Sequence, residues 1–114
     1  MLDWMGYRGE VKKRVGDLRG LVPEVLKGYA ALAGAGDKSE HLDAKTRELI
    51  SLAVAVTTRC DGCIAAHVEA ALALGTTREE LSEALGVAIA MNAGAALVYS
   101  ARTLDAFENM SERA

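Results

Sequence analysis

A single proline, Pro23, interrupts a chain whose apolar residues are mostly Ala, Leu and Val. Small and straight side chains favour closely packed helices, whereas sheets favour β-branched and aromatic ones. Hydrophobic residues make up 51% of the sequence and aromatics only 4%, so the composition points to an all-α fold. At 114 residues the chain is one domain, 1–114. It can bury a core, yet it is small enough that association would add to its stability.

Glycines and polar breaks divide it into helices. Gly9 to Arg19 reads as a charged helix that Gly20 helps to end. Pro23 suits the first turn of a helix running to about Ala33. Gly34 to His41 is a polar loop, with His41 on the surface. Asp43 is an N-cap for a helix carrying Glu48 and the apolar run Leu49 to Val56. That run is apolar on all sides, which predicts a central, buried helix. Thr57 and Thr58 interrupt it. The next helix begins near Cys60 or Asp61 and ends at Gly75. Thr76 and Glu79 read as a capping box for a helix with Leu81, Ala84, Leu85, Ala88 and Ile89 on one stripe. A break near Asn92 to Gly94 precedes a last helix from about Ala95 to Asn109, and residues 110–114 fray. Trp4, Tyr7 and Tyr29 read as packing or interface residues, and Tyr99 as a core residue.

The net charge is −3 with both signs scattered and no basic stripe, which argues against a nucleic-acid partner. Met1-Leu2-Asp3-Trp4 lacks the start of a signal peptide. The apolar runs, Leu49 to Val56 and Val87 to Tyr99, read as too short or too interrupted to span a membrane. A cytoplasmic location follows. There a close cysteine pair is more often catalytic, redox-sensing or metal-binding than a permanent staple.

The only two cysteines stand in the run Cys60-Asp-Gly-Cys63-Ile-Ala-Ala-His67. On a helix, Cys60 and Cys63 are i,i+3 and Cys63 and His67 are i,i+4, so all three share one face. If the chain reverses at Thr57 and Thr58, residues whose numbers sum to about 115 face each other across an antiparallel hairpin. Glu48 and His67 satisfy that sum. The thiolate is the reactive form of cysteine, and a helix N-terminus stabilises it. His67 can take the proton of Cys63, and Glu48 can orient His67. Oxidation of Cys63 to a sulfenic acid followed by condensation with Cys60 would give a disulfide and water. The same four side chains could instead ligate zinc, or the spacing could be accidental.

The pattern of Glu48, eleven residues, then Cys60-x-x-Cys63-x-x-x-His67 resembles the signature of the AhpD-like alkylhydroperoxidase branch of the carboxymuconolactone decarboxylase family. Arg47 to Ala55 is similar to that family's first core helix. Ala88 to Gly94 and on to Phe107 resembles its closing helices, so the likeness covers about residues 22–108. The resemblance implies about five to six helices around a central antiparallel hairpin, associating as dimers, trimers or hexamers. It implies peroxidase or disulfide-reductase chemistry, with Cys63 attacking peroxide, Cys60 resolving, and His67 and Glu48 as proton relay. It implies no bound cofactor or metal. A dithiol, from a lipoyl or thioredoxin-like protein, would be the external reductant. The longer hydroperoxidases carry a histidine between the cysteines, where this chain has Gly62. True lactone decarboxylases are expected to lack the cysteine pair, so decarboxylation is not expected. The alternative is a non-enzymatic redox switch or metal-binding module of the same fold.

Overall fold

The computed structural model describes residues 1–113, which form five α-helices and one 3₁₀ turn. They are α1 (Trp4–Leu21), α2 (Pro23–Gly34), α3 (Ala44–Thr58), α4 (Asp61–Ala73) and α5 (Arg78–Ser111). No strand occurs among the described residues.

Caps set most of these boundaries. Asp3 accepts from the Gly6 N–H, so α1 starts well before the expected Gly9. The loop expected from Gly34 contains a 3₁₀ turn, Ala35–Lys38. Asp43 accepts from the Thr46 N–H at 2.7 Å and opens α3. After α4, Gly75 takes φ +76°, a left-handed conformation. Its N–H donates to Leu72 O and the Thr76 N–H donates to Ala71 O, which together make a Schellman end. The capping box of α5 is Thr77 with Glu80, one residue later than expected. Both Thr76 and Thr77 have a glutamate three residues on, so the pattern alone leaves the register open. Thr76 follows directly on the Schellman turn. Its hydroxyl ends up buried without a partner.

Two cross-links fix α5 beside α3. Lys45 Nζ meets Glu80 Oε2 at 3.1 Å, and Asn92 Nδ2 donates to Thr57 Oγ1 at 2.9 Å. Both pairs are 35 residues apart in sequence, so the two helices run parallel. The break expected at Asn92 to Gly94 is absent. Asn92 also donates to Ala88 O, and Gly94 sits among alanines, the strongest helix formers. The result is one 34-residue helix about 51 Å long at 1.5 Å per residue. Met110 and Ser111 stay helical, against the expected fraying, and Ala114 lies outside the described residues. Because it is unbroken, α5 is also long and apolar enough to cross a membrane by length and composition, contrary to the sequence reading.

Beyond Asn92, α5 overhangs the end of α3, and every residue from Met91 to Arg113 is exposed. Among the described residues the buried core is Leu52, Ala55, Ala65, Ala71 and Ala88. Helix α3 is therefore not buried all round: Ile50 and Val54 are about half exposed. Ile89 lies outside the core stripe. Tyr99 is likewise on the surface, under the Arg102 guanidinium at 4.9 Å. The accessible surface is 9073 Å², against about 6,000 Å² for a folded monomer of this mass. The radius of gyration is 19.1 Å, against about 13 Å for a compact chain of this length.

Replacing Gly75 by Ala forces a side chain into the left-handed region. It should lower stability by about 1 kcal/mol in urea unfolding at fixed protein concentration.

Candidate functional site: a disulfide at the α3–α4 reversal

The chain reverses through two residues. Arg59 follows α3 in the left-handed conformation, with φ 54°. The Cys60 N–H donates back to Ala55 O at 3.0 Å, closing α3. Cys60 is at the same time the N-cap of α4, and its Sγ accepts from the Cys63 N–H at 3.1 Å. One cysteine thus ends one helix and starts the next.

Cys60 and Cys63 are joined as a disulfide, with Cα atoms 5.2 Å apart. Both are half-buried. Across the hairpin, His67 Nδ1 and Glu48 Oε2 lie 2.6 Å apart. A carboxylate only accepts, so the imidazole N–H at Nδ1 donates and the Nε2 lone pair is left available as a base. The His67 and Glu48 side chains are 38% and 21% exposed, so the pair is neither sealed nor fully solvated. The antiparallel register inferred from the residue sum is the one seen. Among the described residues, no group of three or more His, Cys, Asp or Glu side chains is arranged to hold a metal ion.

Helix α1 packs on the outer side of α4. Its half-buried residues Trp4, Tyr7, Arg8, Val11 and Val15 form a stripe at helical spacing. Trp4 and Tyr7 meet edge to face, with centroids 6.4 Å apart. Arg8 Nε donates to Glu69 Oε2 at 2.9 Å, and Lys12 Nζ lies 3.5 Å from Glu69 Oε1. The Arg8 hydrogen bond, helped by the Lys12 charge, holds the Glu69 carboxyl below its ordinary pKa. Trp4, Met5, Ile64, Val68 and Leu72 line an open apolar groove of about 540 Å³ between these helices. The cysteines are not part of its lining. Beside this groove, a Cβ placed on Gly62 would lie 3.9 Å from Val11 Cγ1 and 4.0 Å from the Tyr7 hydroxyl.

The carboxymuconolactone decarboxylase family model matches residues 23–106. The chain belongs to this family. An uncharacterized protein from Haemophilus influenzae is 51% identical over 105 residues, covering 92% of this chain and 93% of its own length. A second, from Cupriavidus necator, is 30% identical over 102 residues, covering 90% of each chain. Among solved structures, the apo form of a carboxymuconolactone decarboxylase family protein from Legionella pneumophila is similar, with a TM-score of 0.75 and 40% identity. It matches over 93% of this chain and 95% of its own. A protein from Methanobacterium thermoautotrophicum has a TM-score of 0.68 and 34% identity, over 74% of this chain and 94% of its own. The all-helical AhpD-like fold of the family is the fold seen here. The family match begins at Pro23, so α1 lies outside it.

The lowered Glu69 pKa sets a pH dependence for α1. A carboxyl whose folded pKa lies below its unfolded value contributes stability above the ordinary carboxylate range and loses it as pH falls through the lowered value. Trp4 is the chain's single tryptophan and reports on α1 docking. Acid titration should shift its emission to the red in that range, and Glu69→Gln should remove that step.

Proposed function

We propose that this chain is a thiol-dependent peroxidase or disulfide oxidoreductase in which Cys63 attacks and Cys60 resolves. The observation that carries the reading is the Cys60–Cys63 disulfide at the start of α4, with the Glu48-bound His67 one turn beyond it. In the reduced form, His67 takes the proton of Cys63. The thiolate attacks the terminal peroxide oxygen and the O–O bond breaks. Cys63 becomes a sulfenic acid, and the departing alkoxide takes the proton from His67 and leaves as the alcohol. The Cys60 thiol then attacks the sulfenic sulfur. The disulfide forms and water leaves. An external dithiol, of the lipoyl or thioredoxin type, reduces it by exchange and is itself oxidised to a disulfide. No resident cofactor or metal enters this cycle.

Dithiol-dependent peroxide consumption tests the reading. Cys63→Ser should abolish turnover. His67→Ala should slow it by about two orders of magnitude, the usual scale of a general base. Wild type and Cys63→Ser turning over equally would overturn the reading. A disulfide that forms and reduces with no substrate turned over would make the chain a redox switch, and about one zinc per chain after purification would make it a metal-binding module.

We also propose that further copies of this chain cover the overhanging half of α5 and the exposed face of α2. The surface excess of about 3,000 Å² per chain supports this, since obligate interfaces bury areas of that order. So does the run Ala93 to Ala96, whose small side chains allow helices to approach closely. Light scattering in detergent-free buffer should give an oligomeric mass, a trimer or hexamer. A monomer, or a protein that stays in solution only with detergent, would contradict it.

A further inference from the structure

Gly62 stands between the two cysteines, and α1 covers it. A Cβ at that position would sit in ordinary van der Waals contact with α1, with the Tyr7 hydroxyl 4.0 Å away and Val11 at 3.9 Å. The side of the C-x-x-C turn that a longer residue would occupy is therefore taken by a phenol from another helix. The position of that phenol is well supported. Its ring packs against Trp4, and the neighbouring Arg8 ties α1 to Glu69 on α4. Tyr7 is half-buried, and among the described residues its hydroxyl has no protein hydrogen-bond partner. A hydroxyl in a half-desolvated place gains most by donating to a charged acceptor. Oxidised, the pair offers no charge. Reduced, it offers a thiolate on the residue next to Gly62.

We propose that the Tyr7 hydroxyl donates a hydrogen bond to the reduced Cys63 sulfur, directly or across one water, and so favours its thiolate form. Helix α1, outside the residues that match the family, then supplies a polar group to the redox centre. The inference rests on the reading of Cys63 as the reactive thiol. The chemistry involved is the ionisation Cys63–SH to Cys63–S⁻ plus a proton released to His67 or solvent. Tyr7 keeps its own proton throughout.

The test needs no peroxide. In a Cys60→Ser background Cys63 is the single thiol, and the pH profile of its alkylation by iodoacetamide reports its pKa. Adding Tyr7→Phe keeps the ring against Trp4 and removes only the donor. The midpoint should rise by about half to one pH unit, with alkylation near neutrality slowed about three- to tenfold, the scale of one hydrogen bond to a charged, partly solvated group. Site-specific 3-fluorotyrosine at position 7, a stronger donor, should move the midpoint the other way. This second arm decides the matter if Tyr7→Phe disturbs folding. Superimposable profiles for all three proteins would overturn the proposal. So would a Tyr7 dependence seen only in a Cys63→Ser background, which would assign the donor to Cys60. A shifted midpoint in a protein that consumes no peroxide would sink the peroxidase reading and leave this inference standing.

Discussion

The reversal at Arg59 and Cys60 is the constraint on which the rest of the site depends. Arg59 accepts a left-handed backbone, and the Cys60 N–H closes α3 on Ala55. The same residue caps α4 with its sulfur. That compact joint leaves no slack between the helices. It fixes the register across the hairpin and therefore which residue of α3 meets His67. Were the turn one residue longer, Glu48 would fall on a different step of α4 and the 2.6 Å contact would be lost. The left-handed residue costs about 1 kcal/mol by itself, so the surrounding helices must hold it.

The outer helices depend on this joint in different ways. Helix α5 is aligned with α3 by Lys45–Glu80 and Thr57–Asn92, and it continues past the joint into solvent. Helix α1 is tied to α4 by Glu69 and closes over Gly62. Among the described residues the buried core is one leucine and four alanines, little apolar volume beside a helix about 51 Å long.

The site was legible in the sequence to the extent that it depends on local spacing. Helical periodicity puts Cys60, Cys63 and His67 on one face, and the residue sum across the turn finds Glu48. Asp43 and Gly75 were legible because each satisfies a helix end by itself. Four features were not. The capping box moved from Thr76 to Thr77 because both threonines fit the pattern and the Schellman turn occupies the first. The break at Asn92 to Gly94 did not occur, because a lone glycine among alanines weakens a helix without ending it. Burial of α3 was overestimated because an apolar run records how hydrophobic a helix is, not how many neighbours pack around it, and Ile50 and Val54 remain about half exposed. The docking of α1 on α4 hung on a sparse stripe interrupted by Arg8, and nothing local linked Tyr7 to Gly62.

In the proposed cycle, Cys63 is the sulfur that peroxide oxidises. The most direct measurement traps the sulfenic acid with dimedone after one equivalent of peroxide, in Cys60→Ser and in Cys63→Ser proteins, and maps the adduct by peptide mass spectrometry. An adduct is expected on Cys63 in the first protein, with little or none on Cys60 in the second. An adduct on Cys60 alone, or on neither, would contradict it.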